Sequence, residues 1–384
     1  LNLFKKVILL GVAIVALGTV LLYKNTTPNV NADSADFQEQ VEKRNGPIEK
    51  AITLSEADLI SLENLKAILS ENSKSLSRIF LRVRSRVSFR CGPVGENCVI
   101  KTGSQSGADL TKYISLIENE SIPLALIYDL DINDFKYRFD KFKDVVGAKY
   151  SPKQQEDHPE SKVVFSNPVF KEKIYEDFKN KINLANFEKV IFGSELNLFF
   201  YNILGTKTRT KETQAFWSVL DQARKDHPKI QFSSAFNFEH LNYYNYWSTL
   251  GRDEVQSLDF MAFTSHPLHL GWAHFSKFEE QLYGFDGQRS ATPEMNYYTT
   301  IRDNYWKRKD VYLVDFGYPV DESGEQNRGL ILQHVIANQA IKCVSWQVTP
   351  LIKIQMPEAK YLNALSLWNE NFVLSDSGKW FFSL

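Results

Sequence analysis

Lys189-Val190-Ile191-Phe192-Gly193-Ser194-Glu195-Leu196-Asn197 is the stretch whose reading decides the fold. Val190, Ile191 and Phe192 form a short apolar, partly β-branched run that stops at a glycine, the pattern of a buried strand. Packing supplies no reason for the glutamate two residues later. The flanks have a different period. Residues 169–184 and 213–224 carry apolar side chains at helical spacing, so the strand over 189–195 sits between two amphipathic helices.

The same alternation extends in both directions. Residues 78–84, 123–129, 230–237, 258–265, 311–316 and 342–348 read as further strands, with helical patterns at 59–69, 110–118 and 330–340. Strand and helix in strict alternation predict a parallel sheet with helices outside it. A weaker run at 48–54 completes a set of eight strands, the number in a TIM (β/α)8 barrel. The rival, an open doubly wound sheet, lacks the Gly-x-Gly-x-x-Gly turn that would open one of its helices. The expected class is therefore α/β, a single barrel over residues 47–384, without internal repeats.

Composition fits a large core. The chain has 384 residues, 43% hydrophobic and 24% charged, which argues against disorder and against a multi-pass membrane protein. With 45 basic and 46 acidic side chains it has no basic excess to neutralise phosphates, so nucleic acid is not an expected partner. The 27 Phe, 17 Tyr and 7 Trp are consistent with sugar stacking and equally with a large core.

Lys5 and Lys6 precede an apolar run over 7–23 that closes at Lys24. Residues 1–23 read as a signal peptide or membrane anchor, with Val30-Asn31-Ala32 as a small-residue cleavage site and 24–46 as a polar linker. Two lysines before the run and one after it favour an exported body, secreted or tethered to the membrane. Cys91 and Cys98 enclose a turn-rich loop that would close as a short disulfide in an oxidising compartment. The competing zinc site lacks a second cysteine pair. Cys343 lies in an apolar run and reads as a buried, inert thiol.

In a barrel, chemistry collects at the C-terminal ends of the strands. Those ends carry Arg84, Asp129, Glu195, Asn237, His266, Asp315 and Trp346. Glu195 and Asp315 come at the ends of the fourth and seventh strands, which face each other across the mouth. A facing carboxylate pair is what glycoside hydrolysis requires, one to protonate the leaving oxygen and one to attack or to activate water. The plainer alternative for each is a helix cap or an ion pair. Arg82 and Arg84 share a strand face, and an inward guanidinium needs a partner, with Asp315 or a neighbour in reach. Asn237 is placed either to bond a sugar hydroxyl or to cap the next turn. Trp346, Trp272 and residues 243–247 offer stacking surfaces. His266, His269 and His274 cluster, but their spacing matches no established ligand set, and neither a metal nor another cofactor is expected. No Gly-x-Ser-x-Gly elbow supports a serine nucleophile.

Taken in order, these motifs resemble the clan A glycoside hydrolases. Gly193-Ser194-Glu195-Leu196-Asn197 is similar to their strand-four motif, where a Gly-Asn-Glu or Gly-Thr-Glu carries the acid/base. Residues 258–267, ending Ser265-His266-Pro267, resemble a strand six that often ends in Tyr-Pro. Val311-Tyr312-Leu313-Val314-Asp315-Phe316-Gly317-Tyr318-Pro319 resembles a strand seven ending Glu-Phe-Gly-Tyr-Pro, and Val344-Ser345-Trp346 the last strand, whose Trp floors a sugar subsite. Residues 365–382 resemble the closing segment. The flavour is that of family 113 endo-β-mannanases and endo-galactanases.

The resemblance implies cleavage of a β-linked polysaccharide or oligosaccharide, with Glu195 as acid/base and Asp315 as nucleophile or base. Arg84, Asp129, Ser194, Asn197, Asn237, His266 and Trp346 would bind substrate. It also implies an arginine near the nucleophile. Three positions depart from the pattern: Asp315 stands for a glutamate, Ser194 for an asparagine and His266 for a tyrosine. The missing methylene retracts the carboxylate by about 1.5 Å. Either the backbone advances to compensate, or a water enters and the reaction inverts, or the barrel binds cell-envelope or matrix glycans without turnover. No protein partner is expected.

Overall fold

The computed structural model describes residues 46–56, 59–90, 99–102, 110–130, 165–197, 206–238, 252–265, 309–317, 340–348 and 372–383. It also describes Leu332, Val335, Ile336, Asn338, Leu367 and Trp368. Among these residues, no helix is long and apolar enough to cross a membrane. The apolar run over 7–23, Cys91, Cys98, the histidines from His266 to His274, Trp272 and residues 243–247 lie outside them.

The weak first strand is present as β1, Glu49–Ser55. After it come β2, Arg78–Arg84, a hairpin of β3, Val87–Arg90, and β4, Val99–Thr102, and then β5, Leu124–Asp129. Next are β6, Phe187–Phe192, β7, Gln231–Ser233, β8, Ala235–Asn237, β9, Met261–Ser265, β10, Val311–Phe316, and β11, Ile341–Gln347. Helices are α1, Leu62–Asn72, α2, Leu110–Asn119, α3, Pro168–Ile182, α4, Thr206–Asp226, α5, Arg252–Ser257, and α6, Asp376–Ser383. Capping matches the sequence chemistry. Ser61 accepts the Asn64 N–H at 3.1 Å, and Asn167 caps α3, with Pro168 preset for the first turn.

The main sheet runs β7-β6-β5-β2-β1-β11-β10-β9-β8. Every neighbouring pair in it is parallel. β7 and β8 are two halves of one stretch interrupted at Ser234, so the order returns to where it began. This is the expected TIM barrel. Its interior is packed rather than hollow, with Phe80, Ile127, Ile191, Tyr312 and Val314 in one buried cluster. Cys343 belongs to the same cluster, and burial pushes its thiol pKa up, so it stays protonated and inert. The β3–β4 hairpin has no counterpart among the strands expected from the sequence. It extends the chain beyond the end of β2.

Candidate active site

Side chains alternate along each strand, and the alternation decides which reach the mouth. On β2 the inner face carries Phe80 and then Arg82. Arg82 Nη2 meets Asp315 Oδ2 at 2.9 Å, with Arg82 12% and Asp315 4% exposed at the side chain. The inward arginine therefore has the partner that the sequence demanded. Burial by itself pulls the Arg82 pKa down. Asp315, Asp129 and Glu195 outweigh it and leave the pKa raised, so the guanidinium is permanently charged. Arg84, two residues on, is exposed at the rim. Its backbone N–H donates to Glu56 Oε2 at 3.0 Å.

Glu195 sits just past β6 on a tight turn. Gly193 has φ +82° and Glu195 itself has φ +52°. A Cβ at position 193 would lie 2.7 Å from Leu196 Cδ2, so the turn needs a glycine there. A glutamate in the left-handed region costs about 1–3 kcal/mol and persists because its surroundings over-determine it. Those surroundings are visible. Asn237 Nδ2 and Thr264 Oγ1 both donate to Glu195 Oε1, each at 3.2 Å. Asn237 is fixed in turn by Asn197: the Asn237 N–H donates to Asn197 Oδ1 at 2.7 Å, and Asn197 Nδ2 donates to the Asn237 carbonyl at 2.9 Å.

Asp315 is held differently. Besides Arg82, Gln347 Nε2 donates to its Oδ2 at 2.9 Å. Asp129 lies beside them and accepts from Ser194 Oγ at 2.6 Å. The structure therefore brings Glu195, Asp315, Asp129, Ser194, Asn197 and Asn237 together around Arg82. Trp346 is not among them. It is fully buried and meets Phe316 edge-on at 5.0 Å between ring centres. Alternation on β11 turns Gln347 inward, leaving Trp346 on the other face. His266 lies outside the described residues.

Thr264 and Gln347 are site residues that the motifs do not mark. Their signal is the period of two: Thr264 follows the inward Ala262 by two residues, and Gln347 shares a strand face with Ser345. No group of three or more His, Cys, Asp or Glu among the described residues is arranged to hold a metal.

No family model matches the chain, and no curated protein does. Solved structures do. A GH5_18 protein from Bifidobacterium longum subsp. infantis superposes with TM-score 0.56 at 13% identity, over 88% of this chain and 78% of that one. A GH5_18 variant from Bifidobacterium longum subsp. longum, in complex with Manβ1-4GlcNAc, gives 0.56 at 10% identity over 87% and 77%. A GH113 β-1,4-mannanase gives 0.50 at 10% identity over 88% and 99%. The chain shares its TIM-barrel fold with these glycoside hydrolases. At these identities the likeness is one of barrel architecture, and the side chains of this barrel's mouth must carry the functional argument.

Proposed function

We propose that this barrel is a glycoside hydrolase that cleaves a β-linked polysaccharide or oligosaccharide. Glu195 is the acid/base, and Asp315 is the nucleophile or the base that activates water. The carrying observation is that two carboxylates from opposite strands enter one mouth with partners suited to opposite duties. Asn237 and Thr264 are neutral donors, compatible with a carboxyl that gives and retakes a proton during the cycle. The charge that a nucleophile or base must carry is balanced at Asp315 by Arg82. Asp129 and Ser194 form a polar wall beside them, suited to sugar hydroxyls. Because neighbouring folds include a β-1,4-mannanase, β-mannan is the first polymer to try.

The test is hydrolysis by the full chain of β-mannan, β-galactan, β-glucan and xylan, beside Glu195→Gln and Asp315→Asn. Turnover abolished by both substitutions supports the pair, and the anomer of the product then separates retention from inversion. Binding that survives both substitutions, with no turnover by the unaltered chain, would replace the enzyme with a glycan-binding barrel.

The proposal includes export, through residues 1–23 as signal or anchor, and a Cys91–Cys98 disulfide. The sequence supports the disulfide: Cys91 and Cys98 bracket a short turn-rich loop, and the residues that flank it, Arg90 and Val99, are paired in the hairpin. Alkylation of the unreduced chain should leave both cysteines unmodified.

A further inference from the structure

We infer that Thr53 and Ser345 are positioning residues for Asp315, through a β-bulge in β10 that their hydroxyls pin and that delivers a shortened carboxylate to the mouth. The kinetic part of this inference rests on the glycosidase reading; the structural part does not.

Strict alternation would put Asp315 on the wrong face. Tyr312 and Val314 both belong to the interior cluster, so the next inward residue of a regular strand would be Phe316. Instead Asp315 reaches Arg82 and Gln347, and Phe316 packs on Trp346. The register explains the reversal. Against β9, Leu313 pairs with Phe263 and Asp315 with Thr264. Against β11, Leu313 pairs with Val344 and Phe316 with Trp346. Both neighbours see one extra residue in β10 at the same place. Such a bulge puts two successive side chains on one face and re-aims the rest of the strand.

A bulge also interrupts the ladder at a backbone carbonyl, and a buried carbonyl needs a partner. Here the Thr53 hydroxyl donates to the Val314 carbonyl at 2.8 Å. With its proton committed there, Thr53 Oγ1 accepts from Ser345 Oγ at 2.7 Å. Both residues are buried in the barrel interior, where a hydroxyl is unfavourable unless bonded. Ser345 and Gln347 share the inner face of β11, so one strand steadies both the bulge and the head group of Asp315. In this geometry the bulge, and not strict alternation, is what puts Asp315 on the inner face beside Arg82 and Gln347.

The variants to make are Thr53→Val, which keeps the shape and deletes the hydroxyl, Thr53→Ser, Ser345→Ala and Asp315→Glu. A crystal structure of full-length Thr53→Val should show the β10 register altered and the Arg82–Asp315 contact opened from 2.9 Å to beyond hydrogen-bonding range. Misplacement by about 1 Å is worth about a hundredfold. Accordingly kcat should fall roughly tenfold to a hundredfold with KM nearly unchanged, and Thr53→Ser should restore most of it.

Asp315→Glu should lower kcat, because one more methylene displaces the carboxylate from the Arg82 and Gln347 donors to which the bulge aligns it. An unchanged bulge and an unchanged contact in Thr53→Val, or an Asp315→Glu enzyme as fast as the parent, would overturn the inference. If Thr53→Val does not fold, Ser345→Ala is judged by the same crystallographic criterion. If the unaltered chain hydrolyses nothing, the glycosidase reading falls, and the register and contact in Thr53→Val still decide the positioning role.

Discussion

At the N-terminal ends of the strands, Arg78 Nε lies 3.5 Å from Glu49 and its Nη1 lies 3.3 Å from Glu188. Beside them Lys189 Nζ sits 5.2 Å and 5.1 Å from the ring centres of Phe260 and Tyr312. At the C-terminal ends, Arg82 pairs with Asp315 at 2.9 Å, and the carboxylates of Asp129 and Glu195 are near enough to help hold its charge. The lower end matches cation to anion and closes over rings. The upper end gathers more carboxylates than guanidinium around Arg82 and strains its backbone at Glu195. Balanced charge holds a barrel together, whereas an unbalanced, strained cluster is stable only because the rest of the fold supports it. Under the proposed function, the difference assigns stability to one end and chemistry to the other.

Glu195→Gln should strain this division most. The amide keeps the size of the side chain and can keep a carbonyl oxygen toward Asn237 and Thr264, so thermal unfolding should hardly move. Loss of the proton donor should lower kcat about 10²–10⁴-fold. A large drop in Tm would make Glu195 a structural residue and would blur the two ends.

Arg82→Met comes next. It takes the guanidinium from a nearly buried Asp315 and leaves Gln347 donating to the charged oxygen. Removing one partner of a buried pair costs about 3–5 kcal/mol, read as a shifted urea midpoint with an unchanged slope. Activity should be lost as well, because the charge of Asp315 then lacks the guanidinium that balances it. Arg78→Met at the opposite end should cost less, about 1–3 kcal/mol, since the Glu188 side chain is 59% exposed and water replaces its partner. Its kcat should be unchanged. If Arg78→Met slowed turnover as much as Arg82→Met, the division of labour would be gone.

How much of this was legible depends on what each feature needs. The strands were legible because burial on both faces demands continuous apolar runs, and 78–84, 311–316 and 342–348 fall on β2, β10 and β11 within a residue. The strand over 189–195 proved too long at its end: β6 stops at Phe192, and Gly193 begins the positive-φ turn that presents Glu195. The Arg82–Asp315 pair was legible because an inward charge must find a partner. The bulge was not, since register belongs to three strands at once and leaves no mark in the sequence of one. That is why Trp346 drew attention and Gln347, its neighbour, did not. A motif gives position along a strand, and only pairing gives the face.

The smallest expected effect is a slope. Burial, and then the charge of Arg78, lower the Lys189 pKa below its ordinary 10.5, although Glu49, Glu188 and Asp310 pull it back up. The folded chain therefore releases this proton at lower pH than the unfolded chain does. Between the two pKa values the unfolded state binds more protons, so this group makes stability rise with pH there, and the gain is complete once pH passes the unfolded value. Lys50, also lowered by burial, adds a slope of the same sign. Only the difference between parent and variant therefore isolates Lys189. Urea unfolding at several pH values from about 8 to 11 should show the parent gaining on Lys189→Met as pH rises, with kcat equal in both. Parallel curves would mean that the rings of Phe260 and Tyr312, with Gln231 accepting from Nζ, compensate the half-buried ammonium in full, and that the lower end balances its charge more completely than its ion pairs alone imply.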